Sequence, residues 1–154
     1  MRLFLEDEAA TQALARRLRV ALPPDIAGLT LLLEGELGAG KSTFARALIH
    51  ALGHEGPVPS PTYTLVEPYR LDAGSVYHID LYRVSSESEL QFLGWSELDD
   101  GLRLVEWPDR APGLRETADL CIGFVYEADG RRAELVGMSV SGRELLQRMD
   151  TARP

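Results

Sequence analysis

The sequence is poor in lysine and cysteine, and it contains no long apolar run. Of its sixteen Lys and Arg residues only Lys41 is a lysine, so arginine supplies all the other permanent positive charge. Cys121 is the single cysteine, which excludes a disulfide within the chain and is typical of a reducing compartment. No stretch approaches the roughly 18 apolar residues of a membrane-spanning helix. Glu6, Asp7 and Glu8 lie where a signal peptide would be apolar, so we expect a cytoplasmic protein that contacts no membrane.

The length and the net charge of the chain limit the number of domains and the kinds of binding partner that we expect. At 154 residues the chain has the size of one domain, and we expect residues 1–154 to fold as a single unit. The formal net charge of −8 disfavours binding of the domain as a whole to nucleic acid or to anionic membranes. The single cysteine lies in an apolar stretch, which indicates a buried thiol rather than a nucleophile.

The solitary lysine lies in residues 35–42, whose sequence GELGAGKS matches the phosphate-loop pattern G-x-x-x-x-G-K-[ST]. Its compact ammonium can pass through a turn of backbone N–H groups to reach β- and γ-phosphates, whereas a planar guanidinium is too wide. The apolar run 29–33 predicts a buried strand before the loop, and residues 41–52 predict a helix after it, ended by Gly53. This context predicts a nucleotide-phosphate site at the helix N-terminus.

Hydrophobic periodicity and turn residues predict the other elements. Leu14, Leu18 and Leu22 are spaced by four, which is typical of an amphipathic helix, and Pro23-Pro24 would end it. The predicted elements are a helix over 7–22, a hairpin of strands 62–70 and 75–83, a short helix over 85–93, a strand over 102–107, a hairpin of strands 117–126 and 132–140, and a terminal helix over 142–150.

Nucleotide hydrolysis needs a magnesium ion and a group that places water, in addition to the phosphate loop. Ser42 is the expected hydroxyl ligand of magnesium, and Thr43 beside it can reach an α-phosphate oxygen. The second metal ligand should be a carboxylate at the carboxyl end of an apolar strand near the loop. Glu106 and Asp80 both satisfy this condition, and the pattern leaves both open.

The segment 76–83 alternates between apolar and polar positions, so that His78, Asp80 and Tyr82 share one face of a strand. An imidazole, a carboxylate and a phenol on one face are costly to bury unless a site uses them. The pattern therefore indicates either a functional site or a strand face that is exposed to solvent.

Four segments make the chain resemble the TsaE family, small bacterial ATPases needed to make threonylcarbamoyladenosine in tRNA. They are 35–44 (GELGAGKSTF), 60–66 (SPTYTLV), 78–83 (HIDLYR) and 105–108 (VEWP), and with Glu8 and Thr11 they follow in order over nearly the whole chain. The phosphate loop is common to many families, whereas the other three segments in this order are highly specific.

The resemblance implies one phosphate-loop α/β domain with a mixed central sheet flanked by helices, and it implies ATP and Mg²⁺ as cofactors. Ser42 and Glu106 would complete the magnesium shell, and Asp80 would lie on the γ-phosphate side. The implied nucleotide-binding residues are Glu8, Gly38, Ala39, Gly40, Lys41, Ser42, Thr43, Thr62 and Arg131. The implied catalytic residues are Lys41, Asp80 and Glu106. Family members commonly have threonine at the position of Ser42, and both residues supply a hydroxyl.

The resemblance also implies partners. Members of the family bind the proteins TsaB and TsaD, of which TsaD is the transferase, and ATP hydrolysis supports repeated turnover of that complex. Contact with tRNA would then be indirect, through the complex. The net charge of −8 agrees with this expectation, because an acidic domain binds tRNA poorly.

Two other functions remain open at this point. A small-molecule kinase would need an acceptor pocket and an arginine-bearing lid, which Arg110 and Arg115 could supply. A nucleotide-sensing module without enzymatic activity would use the same loop to order a docking surface. A GTPase is disfavoured more strongly, because the guanine-reading N-K-x-D element requires a second lysine.

Overall fold

A mixed seven-stranded sheet is the centre of the fold in this computed structural model, which describes residues 1–152. The strands are β1 (Arg2–Leu5), β2 (Thr30–Gly35), β3 (Val66–Leu71), β4 (Gly74–Asp80), β5 (Gly101–Glu106), β6 (Leu120–Glu127) and β7 (Gly130–Gly137). The α-helices are α1 (Glu8–Ala21), α2 (Lys41–Ala51) and α3 (Val140–Thr151). Short 3-10 helices cover Glu87–Leu93, Trp95–Asp100, Pro108–Arg110 and Pro112–Glu116. No helix within the described residues is long and apolar enough to span a lipid bilayer.

The strand order is β1-β7-β6-β2-β5-β4-β3. The four central strands β6, β2, β5 and β4 are parallel to one another, and the hairpin partners β7 and β3 and the edge strand β1 are antiparallel to their neighbours. Parallel strands are buried on both faces, which is why β2 contains the uninterrupted apolar run Leu31–Leu33. Both predicted hairpins and the mixed sheet are confirmed.

The sheet separates two hydrophobic cores. Leu31 and Leu33 point into the core formed with α1, α2 and α3, whereas Leu32 points into a second core on the other face. The second core is closed by the 3-10 helices and their connecting loops, through residues such as Leu90 and Leu114. The alternating set of β4 that was predicted to be apolar, represented by Ile79, lies in this second core.

Helix α1 begins where its sequence predicts. Asp7 is the N-cap residue, and its carboxylate accepts a hydrogen bond of 2.8 Å from the backbone N–H of Ala10. Leu14 and Leu18 are buried, as their spacing predicts. Arg17, from the basic cluster of this helix, donates to the backbone carbonyl of Met149 in α3. Part of the cluster therefore ties two helices together.

Several local features differ from the prediction. Strand β1 was not predicted, and its four residues form a strand because they pair with residues 131–134 of β7. The first strand of the earlier hairpin begins at Val66 rather than at residue 62, since Leu65 adopts a left-handed conformation with φ 66°. The short helix predicted over 85–93 is a 3-10 helix over Glu87–Leu93.

Cys121 is buried on β6, as predicted, and burial together with the neighbouring Glu34 raises the pKa of its thiol to about 12. Because the thiolate is the reactive form, we expect Ellman's reagent at pH 8 to modify the native protein at least about a hundredfold more slowly than the unfolded chain. Absorbance at 412 nm follows the reaction, and the protein in denaturant is the control. Labelling at equal rates would contradict the buried placement.

Candidate functional site

The phosphate loop joins the end of β2 to the start of α2, as the motif predicts. Gly35 has φ +143°, and a Cβ atom there would lie 2.5 Å from the carbonyl oxygen of Phe124 on β6. Gly40 has φ +119°, a conformation that L side chains rarely adopt, and it is the N-cap of α2. The two motif glycines therefore allow the loop to turn sharply against the sheet.

Within residues 1–152, the N-terminus of α2 is uncapped by any side chain and its first turn is free of acidic residues. The backbone N–H groups of Lys41, Ser42 and Thr43 have no partner inside the helix, because the first intrahelical donors of a helix lack acceptors. Their dipoles add positive potential at this point, which suits the phosphates of a nucleotide.

Lys41 is buried, and its ammonium is held by the loop itself. Nζ donates to the carbonyl oxygens of Gly35 at 2.6 Å and Glu36 at 2.8 Å. The same atom lies 4.1 Å from the centre of the Trp107 ring, which is a cation–π contact. Trp107 has φ 59° and ψ 49°, so its backbone is in the left-handed region that bulky residues rarely adopt.

Two opposing effects act on the pKa of Lys41. Burial lowers the pKa of its ammonium below the ordinary value, while the negative charges of Glu106, Asp80 and Asp109 act in the opposite direction. An anionic ligand would stabilise the charged form of such a buried ammonium, and the uncapped helix N-terminus beside it would add to that attraction.

Glu106, at the end of β5, is held through both carboxylate oxygens. Ser42 Oγ donates to Oε1 at 2.7 Å, and His78 Nε2 lies 2.9 Å from Oε2. The sheet register aligns Asp80 of β4 with Glu106, so the ends of two adjacent parallel strands place both carboxylates next to the loop. The structure thus brings together the three residues that were predicted to be catalytic, Lys41, Asp80 and Glu106.

Asp80 is fixed by hydrogen bonds to both oxygens. The backbone N–H of Tyr82 donates to Oδ1 at 2.8 Å, and Thr62 Oγ1 donates to Oδ2 at 3.1 Å. His78 and Asp80 are only 2% and 4% exposed, so the interpretation of their strand face as solvent-exposed is wrong for both. Both side chains are covered by neighbouring residues, because His78 contacts Glu106 of β5 and Asp80 is bonded to Thr62 and to the backbone of Tyr82. Tyr82, beyond the end of β4, is 47% exposed.

A cavity of about 300 Å³ lies beside Lys41, Ser42 and Asp80, whereas Glu106 does not line it and contacts it through Ser42. One part of the cavity wall is formed by the phosphate loop and the first residues of α2, which are Lys41, Ser42 and Thr43. Thr62 and Asp80 form another part. Gly38 and Gly40 also line it, whereas Ala39 is buried behind the loop.

Besides Ala39, two other predicted nucleotide-binding residues lie outside this cavity. Glu8 lines a separate cleft of about 350 Å³ between α1 and α2, and Thr43 contributes to both spaces. Arg131 lies behind the loop, where Nη2 donates to the carbonyl oxygen of Gly38 at 3.2 Å. Tyr126 supports the same loop, because its hydroxyl donates to the carbonyl oxygen of Leu37 at 3.0 Å.

The model of the family described as "Threonylcarbamoyl adenosine biosynthesis protein TsaE" matches residues 5–133. The chain belongs to the TsaE family. The TsaE protein of Haemophilus influenzae is 39% identical over 116 residues, covering 74% of this chain and 73% of that protein. The TsaE protein of Nostoc is 32% identical over 151 residues, covering 94% and 91%. These matches confirm the family that the four sequence segments predicted.

A solved structure agrees with the α/β fold. YdiB of Bacillus subtilis superposes with a TM-score of 0.75 at 24% identity, covering 98% of this chain and 94% of that one. At 24% identity this structural similarity is evidence for the fold alone. The fold that carries the phosphate loop of this TsaE family member is therefore one already seen in a solved structure.

The residues of this TsaE family member fit a magnesium–nucleotide ligand. The Ser42 hydroxyl and the Glu106 carboxylate, 2.7 Å apart, are hard oxygen donors of the kind that Mg²⁺ prefers. Among residues 1–152 there is no group of three or more His, Cys, Asp or Glu side chains that could hold a metal by themselves.

Several contacts of the TsaE site lay beyond sequence reasoning. His78 was noticed on the face of Asp80, but its bond to Glu106 depends on the pairing of β4 with β5. Tyr126 carries no local signal at all, since it reaches Leu37 from a hairpin 89 residues further along the chain. The stacking of Trp107 on Lys41 was equally unpredicted.

Proposed function

We propose that this protein is a magnesium-dependent ATP-binding and ATP-hydrolysing subunit that supports threonylcarbamoyladenosine modification of tRNA by docking on the TsaB–TsaD complex. The observation that carries the proposal is that Lys41, Ser42 and Asp80 line one cavity at the uncapped start of α2, where Ser42 donates a hydrogen bond to Glu106. Membership of the TsaE family supplies the biological process.

The phosphate loop would bind the phosphates of ATP. Backbone N–H groups at the start of α2 offer hydrogen bonds, and the Lys41 ammonium is within reach of the same cavity. Ser42 and Glu106 would hold Mg²⁺, which when bound neutralises charge on the phosphate oxygens. The fold already places Ser42 and Glu106 side by side, so this pair would need little reorganisation as charge develops.

Asp80 would orient the attacking water. Its two oxygens are held by Tyr82 N–H and by Thr62, which fixes the plane of the carboxylate at the cavity wall. A carboxylate oxygen has more than one acceptor site, so Asp80 can accept a further hydrogen bond from a water beside the terminal phosphate. Thr62 would act through Asp80 and line the site.

The cleft between α1 and α2 is our proposed location for the nucleoside part of ATP. Thr43 lines both this cleft and the phosphate cavity, which makes the two spaces neighbours. Glu8, Arg46 and His50 offer polar groups in the cleft. Arg131 would contribute by holding the carbonyl of Gly38, and so the shape of the phosphate loop.

Docking on TsaB and TsaD is proposed from family membership, with tRNA contacted only through that complex. Apolar groups near the phosphate cavity are consistent with a protein partner, since Leu37 and Tyr63 are both largely exposed. We propose a cytoplasmic location on the same basis.

The kinase alternative has less support. The guanidinium of Arg115 is paired with Glu34, and Arg110 lies over the Tyr82 ring at 5.4 Å. Both arginines proposed for a closing lid are therefore engaged with this chain's own residues.

Phosphate release from Mg-ATP by the purified protein, alone and with TsaB and TsaD, tests the proposal. We expect slow release alone and a changed rate in the presence of both partners. Tight ATP binding without any turnover would instead support a nucleotide-sensing module. Transfer of the phosphoryl group to a nucleoside or small hydroxy acid would support a kinase.

Replacing Glu106 with glutamine should weaken magnesium binding. The amide removes the negative charge that faces Ser42, so we expect the Mg²⁺ concentration for half-maximal phosphate release to rise about tenfold or more. A magnesium titration at fixed ATP measures it, with Glu55→Gln, an exposed position, as the matched control. An unchanged midpoint would remove Glu106 from the metal shell and favour Asp80.

A further inference from the structure

The contact between His78 and Glu106 is not explained by nucleotide binding alone. His78 Nε2 lies 2.9 Å from Glu106 Oε2, and the two side chains are only 2% and 1% exposed. Burying an imidazole and a carboxylate together removes both from water, which is costly unless the contact is used. The buried contact therefore indicates that the imidazole has a role toward the carboxylate.

The sheet itself sets the position of the imidazole. On adjacent parallel strands His78 lies opposite Leu104, and Glu106 follows two residues later on the same face. His78 and Glu106 are therefore diagonal neighbours on two inner strands, where the backbone positions are fixed by hydrogen bonds on both sides. The imidazole supports Oε2 from the interior while Oε1 faces Ser42.

The hydrogen bond has one favourable direction. His78 Nδ1 is buried and has no partner among the residues described. A buried N–H without an acceptor is rarer in proteins than a buried acceptor without a donor, so we assign the ring proton to Nε2. His78 then donates to Oε2 and fixes the rotation of the carboxylate.

We propose that His78 is a positioning residue for the metal site. By holding Oε2, it turns Oε1 toward the Ser42 hydroxyl and so presents two oxygens side by side to the magnesium ion. This inference rests on the proposed function, because it requires a Mg²⁺–nucleotide ligand beside Ser42. His78 would contact neither nucleotide nor metal.

Two variants of His78 separate positioning from packing. His78→Leu removes the donor and keeps much of the volume, whereas His78→Gln places an amide N–H near the former Nε2. We expect His78→Leu to weaken Mn²⁺ binding about 10–100-fold in the presence of a non-hydrolysable ATP analogue. His78→Gln should restore most of that loss. Titration with Mn²⁺, followed by electron paramagnetic resonance of the free ion, measures the affinity without any turnover.

Val76→Ala is the matched control, since Val76 is buried on the same face of β4 but lies opposite Leu102, four residues before Glu106. It should lower the melting temperature and leave the Mn²⁺ affinity unchanged. If His78→Leu behaves like Val76→Ala, the positioning role is overturned and His78 is a packing residue.

Two further outcomes are distinguishable. If His78→Leu does not fold, His78→Asn replaces it, because its shorter amide cannot reach Oε2 and should show the same loss of Mn²⁺ affinity. Wild-type affinity in His78→Asn overturns the inference. If the wild-type protein binds the analogue but shows no Mn²⁺ binding, the proposed magnesium site is wrong, and the positioning role of His78 is overturned together with it.

Discussion

Replacing Lys41 with alanine should abolish the thermal stabilisation that Mg-ATP gives to the protein. A ligand at one hundred times its dissociation constant stabilises the native state by about 2.7 kcal/mol, which for a chain of this size raises the melting temperature by about 5–10 °C. Without Nζ, the loop loses the only ammonium that can reach the phosphates. We expect the shift in the variant to be close to zero, as measured by differential scanning fluorimetry.

The control for this experiment must allow for the second role of Lys41. Its side chain also bonds the carbonyls of Gly35 and Glu36, so the ligand-free variant should melt lower than the wild type. The comparison is therefore between shifts, not between melting temperatures. Arg143→Ala, which removes an exposed positive charge on α3, should keep the full shift. A full shift in Lys41→Ala would show that residues 35–42 do not bind the phosphates.

Replacing Asp80 with asparagine should separate binding from hydrolysis. The amide keeps the size of the side chain and one acceptor oxygen for Tyr82 N–H, but it loses the charge that orients water. Loss of one preorganised polar group costs about two to three orders of magnitude in turnover. We expect ATP binding to stay largely intact while phosphate release falls by that factor in single-turnover measurements.

Asp72→Asn is the matched control for Asp80, because Asp72 lies in the exposed turn of the same hairpin. It should change neither binding nor turnover. Wild-type turnover in Asp80→Asn would make Asp80 a structural strand-end carboxylate, held only for its bonds to Thr62 and Tyr82.

The parts of the fold that sequence reasoning predicted are those with local signals. The glycines and lysine of residues 35–42 dictate a turn and a helix start by themselves, and the apolar run before them has the signature of a doubly buried strand. The hairpins are also short-range, because β3–β4 and β6–β7 are each joined by a tight turn. These features need no knowledge of distant residues.

The parts that sequence reasoning missed depend on distant pairing. Strand β1 has only four residues and becomes a strand through β7, more than a hundred positions later. The burial of His78 has the same origin, because a polar strand face is exposed or covered according to what packs on it. Alternation predicted which residues share that face but could not predict that Glu106 of the neighbouring strand lies against it.

The bonds of Lys41 to its own loop have a consequence for ligand affinity. The ammonium has two carbonyl acceptors and lies against the Trp107 ring, so a phosphate bound there as proposed would have to replace these partners. Each new contact would then be offset by the loss of an old one, which limits the net gain in binding free energy. The side chain of Lys41 is thus also a cross-link within residues 35–42, and its removal would loosen the loop as well as the proposed phosphate contact.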